Sequence, residues 1–540
     1  MQSIFIEYVI LILIILGLVM LADKLQIAYP IVLVIGGLAI SFLGDFSNIS
    51  IDPDLVFLIL LPPLLYEAAW QVSWKEFWKW RRAIVGFAFP IVLINAFVIA
   101  LFSSWLIPGF TLALGFLLGG IISPPDAVAA TTIMRRVEVP KVIVTIAEGE
   151  SLLNDASSLI IFRFALAAII TGQFYVSDAA TNFILVVVFG VLIGLAVGVI
   201  FYLIHRFLPV TTSIEIVLSL VTPYCMYYAA ENFHYSGVLA VVSGGLFLSS
   251  KRAKMLSYRT RIEAVNVWNS FIFVLNGIIF LIIGLQLPSV VSQLGEIGLA
   301  TAIWYGLLIS LVLIVTRMAC TLGTSAFTVF MSRFVTVSDA HPGWKNPVIT
   351  GWAGMRGVVS LGMALSIPLL INDSQPFPFR NLILFVTFVV ILMTLVFQGL
   401  TLPWVIRNIG PEDKFTRIPE EDQEMIIQKK IALASTELLR DKYSEELENN
   451  PYVRNLYERL ELDAEHFTGL LAEPAADQVN EAEALKPIYL DMLAKQRQRL
   501  NELNRLEEFN EDLIRKHIAL IDVEELKVRE MKFSRTELPT

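Results

Sequence analysis

Runs of mostly apolar residues recur along the first three quarters of the chain, separated by short polar loops. A bilayer-crossing helix needs about 20 such residues to pass a hydrocarbon core roughly 30 Å thick. Thirteen spans are predicted on that basis, over approximately 4–22, 27–44, 55–72, 83–107, 110–133, 142–171, 182–204, 213–230, 236–250, 267–288, 298–330, 348–371 and 381–406. The ninth is short and the eleventh long. No basic stretch precedes the first run and further runs follow it, which disfavours a cleaved signal peptide and keeps the first segment as a span. Beyond residue 410 the long apolar runs stop. Residues 411–540 have a helical composition interrupted at Pro451, Pro474 and Pro487, and near their end Leu506, Leu513 and Leu520 recur every seven residues, a spacing that predicts a short packed or coiled helix. The expected organisation is therefore a transmembrane domain over 1–410 and a charged helical tail over 411–540.

Composition agrees with lipid as the main solvent, since 56% of the 540 residues are apolar and only 16% charged. The charge is unevenly placed. Residues 411–540 hold 30 Asp and Glu against 19 Lys and Arg, a net −11, whereas residues 1–410 hold 19 against 21, a net +2. The overall −9 thus reflects the tail, and nucleic acid is not an expected partner. Cys225 and Cys320 both lie in apolar runs and read as packing residues, not as a disulfide framework. Basic residues in short loops set orientation. Lys75, Lys79, Arg81 and Arg82 follow span three, Arg135, Arg136 and Lys141 follow span five, and Lys251, Arg252, Lys254, Arg259 and Arg261 follow span nine. Lys24, Arg206, Arg333, Lys345 and Arg407 fall on the same side, while the other side has only Arg380 beside the acidic stretch with Asp45, Asp52 and Asp54. The N-terminus is expected outside and the C-terminus in the cytoplasm.

Two spans are interrupted. Span five contains SPPDAV at 123–128, where two prolines remove amide donors and disfavour helix at the residues before them. Span twelve contains GWAGMRG at 351–357, with three glycines and an arginine. If spans one to six form one repeat and eight to thirteen the other, five and twelve are counterparts of opposite topology. Matched breaks of this kind point to the binding site of a transporter. A kink without function is the plain alternative for either break taken alone, because Gly and Pro are common in membrane helices.

Charge at membrane depth sharpens the reading. Glu67, Asp126, Glu150, Asp155 and Arg356 each cost roughly 3 kcal/mol on insertion scales, about 15 kcal/mol if all were unpaired. That is as large as a typical fold stability of about 5 to 15 kcal/mol, so they must pair, bind a cation or line water. In GESLLNDA at 149–156, Glu150 and Asn154, and likewise Ser151 and Asp155, are four apart and share one sector of a helix. A carboxylate in a low-dielectric site that accepts either a proton or a hard cation couples the two fluxes by competition, because burial disfavours its bare ionised form. Asp155 is the leading candidate. Asp126 serves either the ion or the start of the second half-helix, Glu67 either the ion or interfacial packing, and Glu150 with Arg356 reads as a structural ion pair joining the repeats. Arg163 and Arg317 have no partner assignable from sequence, and the five scattered histidines suggest no metal site.

SPPDAV, GESLLNDA and GWAGMRG, with LPPLLYEA at 61–68 and WNSFIFVLNGIIFLIIGLQL at 268–287, occur in an order that resembles the monovalent cation:proton antiporter-1 family of Na+/H+ exchangers, the bacterial type above all. The resemblance covers about 400 residues and implies an all-α membrane fold of thirteen helices in two inverted six-helix repeats, with helices five and twelve broken. It further implies a homodimer in the bacterial inner membrane, whose six-helix core domain moves against a dimerisation domain. By the same resemblance, Asp155 binds the cation or the proton, Asn154 is its neutral partner, and Ser151, Glu67 and the backbone oxygen of Pro125 complete the coordination of Na+ or Li+. Asp126 compensates the half-helix ends, and Glu150 and Arg356 match the structural pair. No cofactor is implied beyond the transported ions. Members with Asn before that Asp exchange one Na+ for one H+, so electroneutral exchange is expected. One departure is that Pro125 stands where many members have Thr, and Ala127 where many have Pro; a hydroxyl ligand is lost, which leaves ion preference open.

A K+/H+ antiporter differs from this reading only in its cation. A channel is disfavoured because the charges cluster at one mid-membrane level and form no repeated ring. An intramembrane hydrolase lacks a base beside Ser151, and an ATP-driven pump lacks a P-loop.

Overall fold

In the computed structural model the apolar runs close into helices, as a chain in lipid must, since a helix satisfies its own amides and carbonyls within one segment. The structure describes residues 2–42, 56–137, 139–172, 176–292, 294, 297–334, 339, 343–371, 375–411, 413, 418–472, 476–504 and 511–530. Two compact units are distinguished, Met1–Glu412 and Asp413–Thr540.

In the first unit the helices are α1 (Gln2–Leu25), α2 (Tyr29–Ser41), α3 (Leu61–Gln71), α4 (Trp74–Leu106), α5 (Leu112–Ile122), α6 (Ala127–Arg136), α7 (Lys141–Thr171), α8 (Val176–Phe207), α9 (Thr212–Glu231), α10 (Gly237–Met255), α11 (Tyr258–Leu285), α12 (Leu287–Ser292), α13 (Leu299–Met331), α14 (Lys345–Trp352), α15 (Val358–Leu365) and α16 (Arg380–Ile409). Among the described residues, eight helices are long and apolar enough to cross a membrane. Predicted spans six and eleven match α7 and α13 within a residue at each end, and the short ninth gains a basic last turn in α10. Strands β1 (Leu370–Ile371) and β2 (Gln375–Pro376) form a small antiparallel hairpin before α16, a departure from the all-helical expectation. The acidic stretch with Asp45, Asp52 and Asp54 lies outside the described residues.

Small residues let these helices approach closely, as packing in lipid favours. A Cβ at Gly37 of α2 would collide with the Leu281 carbonyl of α11, and one at Gly284 of α11 with the Val34 carbonyl of α2. Gly115 and Gly119 of α5 stand in the same way against Ala100 and Ala96 of α4. Both predicted breaks are real. Chain 123–126 separates α5 from α6, and chain 353–357 separates α14 from α15. Helical hydrogen bonding also shifts to the π pattern at Val56–Leu60, at Phe87–Ile91 around Pro90, and at Met393–Gln398.

The second unit contains α17 (Glu420–Lys442), α18 (Ser444–Asn449), α19 (Pro451–Ala472), α20 (Ala476–Leu503) and α21 (Glu511–Glu530). Helix α17 packs on α19 through Met425, Ala432 and Ala464, and α20 on α21 through Leu493, Ile514 and Val528. Two expectations are corrected. Pro487 sits inside α20 and does not end it, whereas Pro451 begins α19; Pro474 lies outside the described residues. Leu513 and Leu520 are exposed, because the face of α21 turned to its neighbour runs through Ile514, Ile518, Ile521, Glu525 and Val528, at helical spacings of four and three. Leu506 lies outside the described residues.

Candidate cation and proton site

Helix α7 carries GESLLNDA as one uninterrupted stretch, so Glu150, Ser151, Asn154 and Asp155 share a sector as their spacing requires. Asp155 is 7% exposed, yet no described group donates a hydrogen bond to its carboxylate. Its neighbour Asn154 is fully buried and donates from Nδ2 to the Pro125 carbonyl at 3.3 Å, which leaves Asn154 Oδ1 buried without a described partner. The Ser151 hydroxyl accepts from the Ala127 amide at 3.3 Å. Two residues of α7 thus hold the break between α5 and α6 beside Asp155.

The two broken stretches meet, and each supplies what the other lacks. A helix that stops in the membrane leaves carbonyls unpaired at its C-terminal end and amides at its N-terminal end. Arg356, fully buried in the second break, donates from Nε to the Ile122 carbonyl at 2.9 Å and from Nη2 to the Ser123 carbonyl at 3.4 Å, and also reaches the Gly354 carbonyl. It covers the end of α5. At the start of α6, Asp126 accepts from the Val128 amide at 2.9 Å, while its own amide donates to the Met355 carbonyl at 2.7 Å. A Cβ at Gly357 would strike the Asp126 carboxylate, so the start of α15 also faces that charge.

The expected Glu150–Arg356 pair is not formed. Glu150 is instead bridged by Arg317 of α13, whose Nη1 and Nη2 lie 2.7 and 3.0 Å from the two carboxylate oxygens; both side chains are almost wholly buried. Arg317 Nη2 further reaches the Thr350 carbonyl at 3.4 Å, near the end of α14. The physical reason is that each broken helix ends in bare carbonyls and takes its own guanidinium, Arg356 for α5 and Arg317 for α14. Arg163, the other unassigned arginine, pairs with Glu231 at the end of α9 through contacts of 2.8 and 3.0 Å.

A cavity of about 290 Å³ opens beside Asp155 and joins most of the predicted residues. Asp155, Ser151, Asp126, Pro125 and Glu67 all line it, with Glu67 bonded to Gln71 one turn further along α3. Asn154 lies behind this wall, and Glu150 and Arg356 lie outside it. Among the described residues no cluster of three or more His, Cys, Asp or Glu could hold a metal ion. Sequence reasoning missed Asn276 of α11, Ser360 of α15, and Arg135 with Glu148, paired at 2.9 Å, which also line the cavity. Asn276 was detectable as a lone amide inside the apolar run FIFVLNGIIF; Ser360 carried no signal.

A family model for the transmembrane sodium/hydrogen exchanger matches residues 10–408. The chain belongs to the sodium/hydrogen exchanger family. The resemblance read from its motifs is thereby borne out, and this exchanger-family protein is a multi-pass membrane protein. It is 31% identical over 432 residues to the sodium, potassium, lithium and rubidium/H+ antiporter of Bacillus pumilus, covering 78% of the chain and 63% of that relative. It is 33% identical over 390 residues to a Na+/H+ antiporter of Aphanothece halophytica, covering 71% of the chain and 70% of the relative. An uncharacterized Na+/H+ exchanger of Mycobacterium bovis is 29% identical over 522 residues, 94% of the chain and 93% of the relative. The fold is also that of the sodium proton antiporter MjNhaP1 from Methanocaldococcus jannaschii, with a TM-score of 0.57 at 20% identity over 76% of this chain and all of that one.

Proposed function

We propose that this exchanger-family protein is a secondary antiporter that exchanges Na+, or Li+ in its place, for H+ through competition at the Asp155 carboxylate. The observation that carries this reading is a buried carboxylate that takes no hydrogen bond from any described group and yet lines a cavity. Such a group gains most from a bound proton or a bound cation, and it cannot hold both. The Ser151 hydroxyl, the Pro125 carbonyl and Glu67 are the further oxygen donors on the same wall, and Asn154 keeps the Pro125 carbonyl in place. With a neutral amide before Asp155, one charge is exchanged for one charge, and the cycle is electroneutral.

The cavity also touches Arg135 and Glu148, next to a loop rich in basic residues. The positive-inside rule puts that loop in the cytoplasm, which supports a site open to the inside. Thirteen spans in two inverted repeats, an outer N-terminus, a cytoplasmic tail beyond residue 410, and a homodimer in the bacterial cell membrane complete this reading. The two breaks and the basic loops favour its topology. Transport of K+ as a further substrate is favoured by the likeness to the sodium, potassium, lithium and rubidium/H+ antiporter of Bacillus pumilus.

Reconstituted protein with an interior pH dye tests the proposal under imposed Na+, Li+ and K+ gradients at clamped potential. Proton movement driven by Na+ or Li+, insensitive to potential and abolished in Asp155→Asn, is expected. A response to K+ alone selects the other antiporter, and full activity in Asp155→Asn overturns the carboxylate mechanism.

A further inference from the structure

Helix α4 is longer than a bilayer requires. Its 33 residues extend about 50 Å at 1.5 Å each, whereas its uncharged part, from Ala83 to Leu106, already covers about 36 Å and exceeds a core of roughly 30 Å. The first turns, Trp74–Arg82, therefore stand in the headgroup layer. They read WKEFWKWRR, with four basic residues against the single acid Glu76.

Three faces of this segment differ. Phe77, Trp80 and Ile84 are buried toward the protein. Lys75, Lys79 and Arg82 are exposed at spacings of four and three, so their charges line up on one side. Beside them Trp74 and Trp78 are exposed with their rings stacked 5.7 Å apart, and Arg81 lies over the Trp78 ring at 4.6 Å. The tryptophan row continues along the helix through exposed Val85, Leu93, Phe97 and Leu101, the surface that acyl chains cover. Indole rings settle at headgroup depth, and basic residues there attract anionic lipid.

We infer that the Trp74–Arg82 segment of α4 is a binding site for an anionic phospholipid, with Lys75, Lys79 and Arg82 holding the headgroup phosphate and Trp74 and Trp78 the glycerol and upper acyl region. The row of exposed apolar residues leading away from the basic cluster singles out a lipid over a soluble anion or an acidic protein segment. The segment is also joined to the helix that carries Asp155. A Cβ at Gly149 of α7 would strike the Ile84 side chain, and Ser157 of α7 donates to the Ala88 carbonyl at 2.7 Å. Lipid bound there braces α7.

The test uses full-length protein in detergent, titrated with phosphatidylglycerol or phosphatidylcholine and read by lipid retention in native mass spectrometry and by the unfolding midpoint. Phosphatidylglycerol is expected to be retained in preference to phosphatidylcholine and to raise the midpoint. Removing charges as Lys79→Gln, then Lys75→Gln with Lys79→Gln and Arg82→Gln, should weaken retention about fivefold per charge. Lys251→Gln with Arg259→Gln, in a different basic loop, should leave it intact. The single Lys79→Gln variant keeps the test valid if the triple one misfolds. Equal retention of the two lipids, undiminished retention in Lys79→Gln and the triple variant, or the same midpoint shift with inorganic phosphate alone would overturn the proposal.

Discussion

Two arginines at membrane depth perform the same electrostatic task at two helix ends, and spacing along the chain gives no way to say which of them meets Glu150. Both Arg317 and Arg356 are buried, and both reach carbonyls left bare by a broken helix. Only Arg317 closes a two-pronged bridge with Glu150. Removing one partner of a buried pair leaves an uncompensated charge, a loss of about 3 to 5 kcal/mol. Glu150→Gln and Arg317→Met are each expected to destabilise the protein by that order, and Glu150→Leu with Arg317→Met by clearly less. Thermal unfolding of the purified variants in detergent checks this, and additive losses in the double variant would contradict the pairing. The carboxylates were readable because an ionisable group in an apolar run stands out at once. Their partners were not, because pairing depends on which helices become neighbours.

At the scale of elements, hydropathy was enough to place α7 and α13 within a residue, since a span must be apolar over its whole length. Proline and glycine gave the two breaks for an equally local reason. The π segments at Phe87–Ile91 and Met393–Gln398 and the small β1–β2 hairpin were not legible, because each is a shift of only a few residues inside or beside an apolar run and leaves the hydropathy pattern unchanged. The contact between the breaks also left one clear trace, in the glycines of GWAGMRG. Gly357 faces the Asp126 carboxylate so closely that Gly357→Ala must displace that side chain from its place between the two broken stretches. A drop of at least about tenfold in ion exchange is expected with the helical content unchanged, measured by the liposome assay together with circular dichroism. Transport at the level of the unmodified protein would show that this contact is not needed.

For the whole molecule, the division between the two units was written in the charge, −9 in total and concentrated in the last 130 residues. What the charge did not reveal is how the tail helices pair. Arg497 of α20 bridges Asp522 and Glu525 of α21, each at 2.6 Å, and Arg529 adds a contact to Glu525 at 2.7 Å. Hydrogen bonds from Arg497 and then Arg529 hold the Glu525 carboxyl below its ordinary value. A depressed carboxyl contributes stability above the ordinary range of about 4.3 and loses it as pH falls through the lowered value. The protection of amides over 511–530 in the full-length protein, taken relative to the intrinsic exchange rate at each pH, should therefore fall on acidification below about pH 4, and Glu525→Gln should flatten that dependence; an unchanged profile in the variant would assign the effect elsewhere. The membrane unit has a joint of another kind. The bond from the Asp126 amide to the Met355 carbonyl ties one break to the other through main chain alone. Such a joint makes no use of the side chain at 355, which is instead fixed by its full burial in the core. Only a residue that lacks an amide hydrogen at 126 would cut it, and a third proline after Pro124 and Pro125 would do so.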